Sequence, residues 1–277
     1  MGSGFIMVTF NQAFRVDASD LLVQCLDGLE GFGAMMDGFY AERPLTINFG
    51  QLHTKVLSEQ FGELLLFVKA IYTAKYRELT FAAIDAVNNQ NFLVFALCGR
   101  AIIETTATLR YYDHKFQQQI RAAKDPDRFD EVEIKEILDL FIKHSTGGRF
   151  DWVKFWYAPR TEMVESVLDV SRQRGSAIQL NQAQVNVVTT VDKWAKKDPA
   201  VRLAYDFFCE LVHPNLGSSF MIMGSRETEI QIGSDFNKEL AKSLTVEGIK
   251  FLAPTIREAC DCFKNLIAWT AIANPEP

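Results

Sequence analysis

FLVFALCGRAIIETTATLRYY, residues Phe92 to Tyr112, decides how this chain folds. The stretch is almost wholly apolar, and its only charges before Arg110 are Arg100 and Glu104, which lie four residues apart on one face of a helix. It continues to about Ala123, where Asp125-Pro126 ends it because proline breaks the hydrogen-bond ladder and disfavours helical geometry in the residue before it. A long, apolar, helix-period segment of this kind needs other helices to cover it.

The flanking sequence supplies them. Upstream, the polar run Asn88-Asn89-Gln90-Asn91 separates this helix from Leu79 to Val87. Before that, Leu52, Val56, Leu57, Phe61, Leu64, Leu65, Val68, Ile71 and Tyr72 mark an amphipathic helix over Phe49 to Tyr76. A first helix is read over Leu21 to Phe39, with Asp17 as its N-cap and Pro44 as its stop. Downstream, Asp130 and Glu133 signal a helix to Lys143, Gly147-Gly148 breaks it, and Pro159 with Thr161 opens another to Arg174. Leu180 to Lys197 favours helix over strand. Asp198-Pro199 then starts a helix that runs to Val212 and stops at Pro214, with a capping acid followed by proline at the first helical position. Two short runs around Gly224-Ser225 predict a small β-hairpin near residues 220–233, and a last helix follows from Ser243 to Ile272, kinked or broken near Pro254. The expected fold is mainly α, a multi-helix bundle in one domain over 1–277, with a loosely joined first helix at 17–40.

Composition bounds the function. Hydrophobic residues at 48% and charged residues at 23% are those of a globular protein. A net charge of −6 sets the overall field against a polyanion such as duplex DNA. The basic segments Arg121 to Lys124 and Arg172 to Arg174 read as solvated faces. Cys25, Cys98, Cys209, Cys260 and Cys262 are odd in number and lack a CxxC pair, which favours a reducing compartment. Met1 to Phe10 has no basic n-region of a secretory signal, and Arg100 and Glu104 interrupt the longest apolar run. A cytoplasmic protein without a membrane span is expected.

Chemistry is sought where charge meets the core. Arg100 and Glu104 need partners if they are buried, and the order Arg before Glu is the weaker one for a helical pair, so a partner on another helix is expected. The helix ending at Val212 offers Asp206, Glu210 and His213 at spacings of four and three, with Cys209 bordering that face and Asn215 just beyond Pro214. Arg100, Glu104, Glu210 and His213 are therefore the candidate cluster, with Asp206, Asn215 and Tyr205 as candidate binding residues. The cluster reads as a structural clamp, as a site for a small anionic ligand or partner, or as acid–base machinery. Glu210-x-x-His213 has the spacing of half a di-iron site, but His53, His114 and His144 provide no second Glu-x-x-His, so no metal and no cofactor is expected. The chain has no phosphate-binding glycine loop and no nucleophile elbow.

Gly99-Arg100-Ala101-Ile102-Ile103-Glu104, followed by Tyr205 and Glu210-Leu211-Val212-His213-Pro214-Asn215, resembles a group of uncharacterised bacterial helical proteins. In that group a helix bearing Arg-x-x-x-Glu accompanies a Ser/Glu-x-x-His-Pro turn, with a pair like Trp156-Tyr157 between them. The resemblance covers roughly Gln51 to Gly217. That group is distantly similar to the HEPN superfamily of helical bundles, many of them ribonucleases of toxin–antitoxin and phage-defence systems. Those enzymes use an Arg and a His four to six residues later on one helix, commonly across a homodimer. The resemblance implies a homodimer with RNA or a small anionic ligand as partner. As a metal-independent ribonuclease, the chain would use His213 as general acid/base and Arg100 to stabilise developing phosphate charge. It departs from the HEPN pattern in one respect: the basic residue upstream of His213 is Arg202, eleven positions away, and Arg100 lies on another helix.

Overall fold

The computed structural model describes residues 8–16, 18–41, 57–122, 135–136, 186–214, 216–220, 223–226, 229–232 and 238–273. The helices named in chain order are α1 (Gln12–Arg15), α2 (Asp20–Ala41), α3 (Leu57–Asn88), α4 (Phe92–Ala122), α5 (Val187–Ala195), α6 (Pro199–Val212), α7 (Leu216–Phe220) and α8 (Lys238–Ala273). The fold is mainly α. Strands β1 (Met223–Arg226) and β2 (Glu229–Ile232) pair antiparallel, with Met223 opposite Ile232 and Arg226 opposite Glu229.

Helix α4 is the axis of the bundle. It packs against α3, α5, α6 and α8, while α2 closes the other side against α3 and α8. This arrangement answers the need that its apolar sequence creates. Phe95, Ile102 and Ile103 of α4 are buried with Tyr76 and Ile84 of α3, Phe208 of α6 and Phe263 of α8. Phe116 stacks on Trp269 with ring centroids 4.7 Å apart, and Phe32 meets Tyr76 edge-on at 5.1 Å.

The turn between α3 and α4 follows from the polar run at 88–91. Gln90 takes a left-handed backbone (φ 57°), which lets the Asn91 N–H reach back to the Ala86 carbonyl at 2.7 Å and close α3. The Asn91 carboxamide then accepts from the Val94 N–H at 3.3 Å and opens α4. At the start of α6 the Asp198 carboxylate accepts from the Ala200 N–H at 3.2 Å, with Pro199 in the first helical position. Asn186 caps α5 in the same way, accepting from the Val188 N–H at 2.9 Å.

Three readings are corrected. Leu79 to Val87 is not a separate helix: α3 runs unbroken from Leu57 to Asn88. Arg77 holds the middle of it, bonded through Nε to Asp37 of α2 at 2.6 Å and lying 4.9 Å from the Tyr40 ring centroid and 4.8 Å from that of Phe81. The last helix begins at Lys238, ahead of Ser243, because Lys238-Glu239-Leu240-Ala241-Lys242 are all good helix formers. Of a kink or a break near Pro254, the break is overturned: α8 continues through Pro254, where buried Leu252 and Ile256 keep the flanking turns packed although proline removes one backbone bond. Phe92–Gln118 is long and apolar enough to cross a membrane by length and composition alone, and 56% of its 18-residue apolar window is buried among the other helices, as in the core helix of a bundle. Asp17, Pro44, the elements expected at 125–175 apart from residues 135–136, which are helical, and the Trp156-Tyr157 pair lie outside the described residues.

Candidate functional site

Arg100 and Glu104 sit where α4 is pressed most closely by α6. A β-carbon added at Gly99 would lie 2.6 Å from Phe208 Cζ, so only glycine lets the two helices approach this far. One residue further along, Arg100 Nε donates to Glu104 Oε1 at 2.8 Å, and both side chains are about one-third exposed, 30% and 28%. The Tyr205 hydroxyl on α6 donates to the same Glu104 Oε1 at 3.1 Å, and the Arg100 guanidinium lies 5.8 Å from the centroid of the Tyr205 ring. The weaker Arg-before-Glu order is thus supplemented by a phenol from the neighbouring helix.

Electrostatics follow the geometry. Burial works against the Arg100 charge, but the hydrogen bond and the charge of Glu104 outweigh it and hold the guanidinium above its usual value. Burial, reinforced by Cys209 and by the Glu104 charge, pushes the Tyr205 phenol up to about 12. Burial also raises the neighbouring Cys209 thiol, against the partial relief given by Tyr205 and Arg100, whereas a nucleophilic cysteine requires the opposite shift.

The remaining candidates lie elsewhere on α6 and its end. Asp206 is exposed and accepts from Arg202 Nε at 2.9 Å, while Arg202 also reaches Asp192 of α5 at 2.6 Å in a surface network. Glu210 is exposed and folds against Gly217, where an added β-carbon would stand 2.7 Å from Glu210 Cγ. His213 caps the C-terminus of α6, its backbone N–H bonded to the Cys209 carbonyl at 2.9 Å and the residue exposed. Among the described residues, the side-chain hydrogen bonds of Arg100 and Glu104 join them to each other and to Tyr205, with none to Glu210 or His213. Asn215 lies outside the described residues.

A second group was not singled out in the sequence. Where α5 crosses α4 there is a cleft lined by Arg110, Tyr111, His114, Lys115, Lys193 and Lys197 among others. Lys193 Nζ lies 4.5 Å from the Tyr111 ring centroid, Lys197 Nζ stands 3.5 Å from His114 Nε2, and the Arg110 guanidinium is 5.7 Å from the centroid of the Trp194 ring. Two spacings of four, Arg110 to His114 and Lys193 to Lys197, are the sequence signal that could have found it. The signal is weak, because the two pairs lie more than seventy residues apart in the chain and each alone reads as a solvated face.

Among the described residues no group of three or more His, Cys, Asp or Glu side chains is placed to hold a metal ion. Comparison of the chain with family models, with curated proteins and with solved structures finds no match.

Proposed function

We propose that this chain is a cytoplasmic, homodimeric helical binding protein in which Arg100, Glu104 and Tyr205 form a structural clamp, and that a ligand or partner meets its surface rather than this cluster. The fold that goes with this reading is a bundle carrying a small β-hairpin between Phe220 and Gly233. The observation that carries it is the double use of one oxygen: Glu104 Oε1 receives both Arg100 Nε and the Tyr205 hydroxyl. A carboxylate satisfied from its own helix and from the next one is spent on joining them. His213 supports the same reading, since it is exposed and makes no side-chain bond to the cluster among the described residues. Purified protein incubated with mixed RNA in chelator, beside a His213→Ala control, is expected to show no histidine-dependent cleavage. Cleavage that disappears in the variant would refute the clamp reading.

One observation favours a second reading, a metal-independent ribonuclease similar to the HEPN enzymes. Arg110 and His114 lie four apart on one helix and line one cleft, an arrangement closer to that family's pattern than Arg100 with His213. Under this reading the same assay gives cleavage that His114→Ala abolishes and His213→Ala leaves intact.

A further inference from the structure

The cleft between α4 and α5 concentrates positive charge on a protein whose net charge is −6. Arg110, His114 and Lys115 come from α4, Lys193 faces them from α5, and Lys197 does so from the turn that follows the end of that helix at Ala195. Arg110 and His114 lie on successive turns of α4, with the two lysines opposite, so the cleft has two basic walls. Among the described residues, Lys115, Lys193 and Lys197 have no carboxylate within ion-pair distance. Arg110 is itself paired, its Nε bonded to Glu258 of α8, so the unmatched charge of the cleft lies on the lysines. Of the acids adjacent in the chain to cleft residues, Asp192 is bonded to Arg202 and Asp113 is buried between Gln117 and Asn265.

Two contacts show that the basic groups are held in place. The Lys193 ammonium is drawn over the Tyr111 ring, which fixes a long side chain that would otherwise be free. Lys197 faces a ring nitrogen of His114, and because a lysine has only donors to offer, that nitrogen accepts and holds the ammonium at the cleft. An anion placed in the cleft would accept from Lys193 and Lys197.

We infer that this cleft is a binding site for a small phosphate-bearing molecule carrying at least two negative charges, of the pyrophosphate type. The number of cationic groups exceeds what a single carboxylate can use, and lysines recognise phosphate as point charges without demanding a planar partner. Compactness follows from the charge of the whole chain: a net −6 works against a long polyanion, while a short one stays between the basic walls. The site makes no use of the Arg100, Glu104 and Tyr205 clamp, and it holds whether or not RNA is cut.

The test is titration calorimetry of the full chain with inorganic pyrophosphate at low and at raised salt, beside sulfate, with the double variant Lys193→Gln/Lys197→Gln. Both lysines are exposed, and circular dichroism with thermal melting checks that the variant folds. Saturable binding of pyrophosphate is expected, tighter than that of sulfate, weakened by salt and weakened at least tenfold in the double variant. Glu104→Ala should bind as the unmodified chain does, which separates this site from the clamp. Absence of saturable binding in the unmodified chain, or equal binding by the folded double variant, overturns the inference. So does a short single-stranded RNA that binds in the cleft and that pyrophosphate cannot displace.

Discussion

Gly99 of α4 lies against the ring of Phe208 of α6 so closely that a β-carbon there would come within 2.6 Å of Cζ and 2.8 Å of Cδ1. Phe208 is fully buried, and Gly248 of α8 crowds the same ring, so it has little room to retreat. Gly99→Ala should therefore destabilise the fold by about 1–3 kcal/mol, the usual cost of overpacking a filled core. Urea unfolding measures it, and adding Phe208→Leu to Gly99→Ala should recover part of the loss. An alanine tolerated without change would mean that the two helices do not meet in this way.

The opposite sign is expected at Gln90. Its φ of 57° lies in the left-handed region, where a residue other than glycine carries a penalty of about 1 kcal/mol. Gln90→Gly removes that strain while keeping the backbone bonds that close α3, and part of the gain is offset by the greater freedom of glycine in the unfolded chain. A stabilisation of up to about 1 kcal/mol should appear in thermal or urea unfolding.

Asp113 gives a pH signature. Burial raises its carboxyl above the ordinary 3.8, and hydrogen bonds from Asn265 and Gln117 offset this only in part. The folded state then holds a proton that the unfolded state gives up. Stability from this group is complete below 3.8 and falls as pH rises through the raised folded value. Asp113→Asn should flatten that part of the stability–pH curve. An unchanged slope in the variant would exclude Asp113 as its source.

The sequence made the helices legible wherever a local rule was strong. Asp198-Pro199 announces the start of α6 because capping and proline placement act within three residues, and Asn88 to Asn91 announces the turn before α4 for the same kind of reason. The unity of α3 was hidden, since what holds its middle is Arg77 reaching Asp37 on another helix, a contact that no local window contains. Arg100 and Glu104 stood out as charges in an apolar run, and Tyr205 was within view beside them. That Tyr205, on the turn before Glu210, donates to Glu104 depends on how α6 is rotated against α4, which helical spacing alone does not fix. The basic cleft was less legible still, because its two walls acquire meaning only once α5 lies across α4.

The clamp is tested most directly by a double-mutant cycle on Glu104→Ala and Tyr205→Phe, read by urea unfolding. Tyr205→Phe should cost about 1 kcal/mol in the unmodified chain, the worth of one hydrogen bond to a charged acceptor after partial exposure is discounted. In the Glu104→Ala background it should cost much less, leaving a coupling of at least about 0.5 kcal/mol between the two helices. Strict additivity of the two substitutions would contradict the clamp.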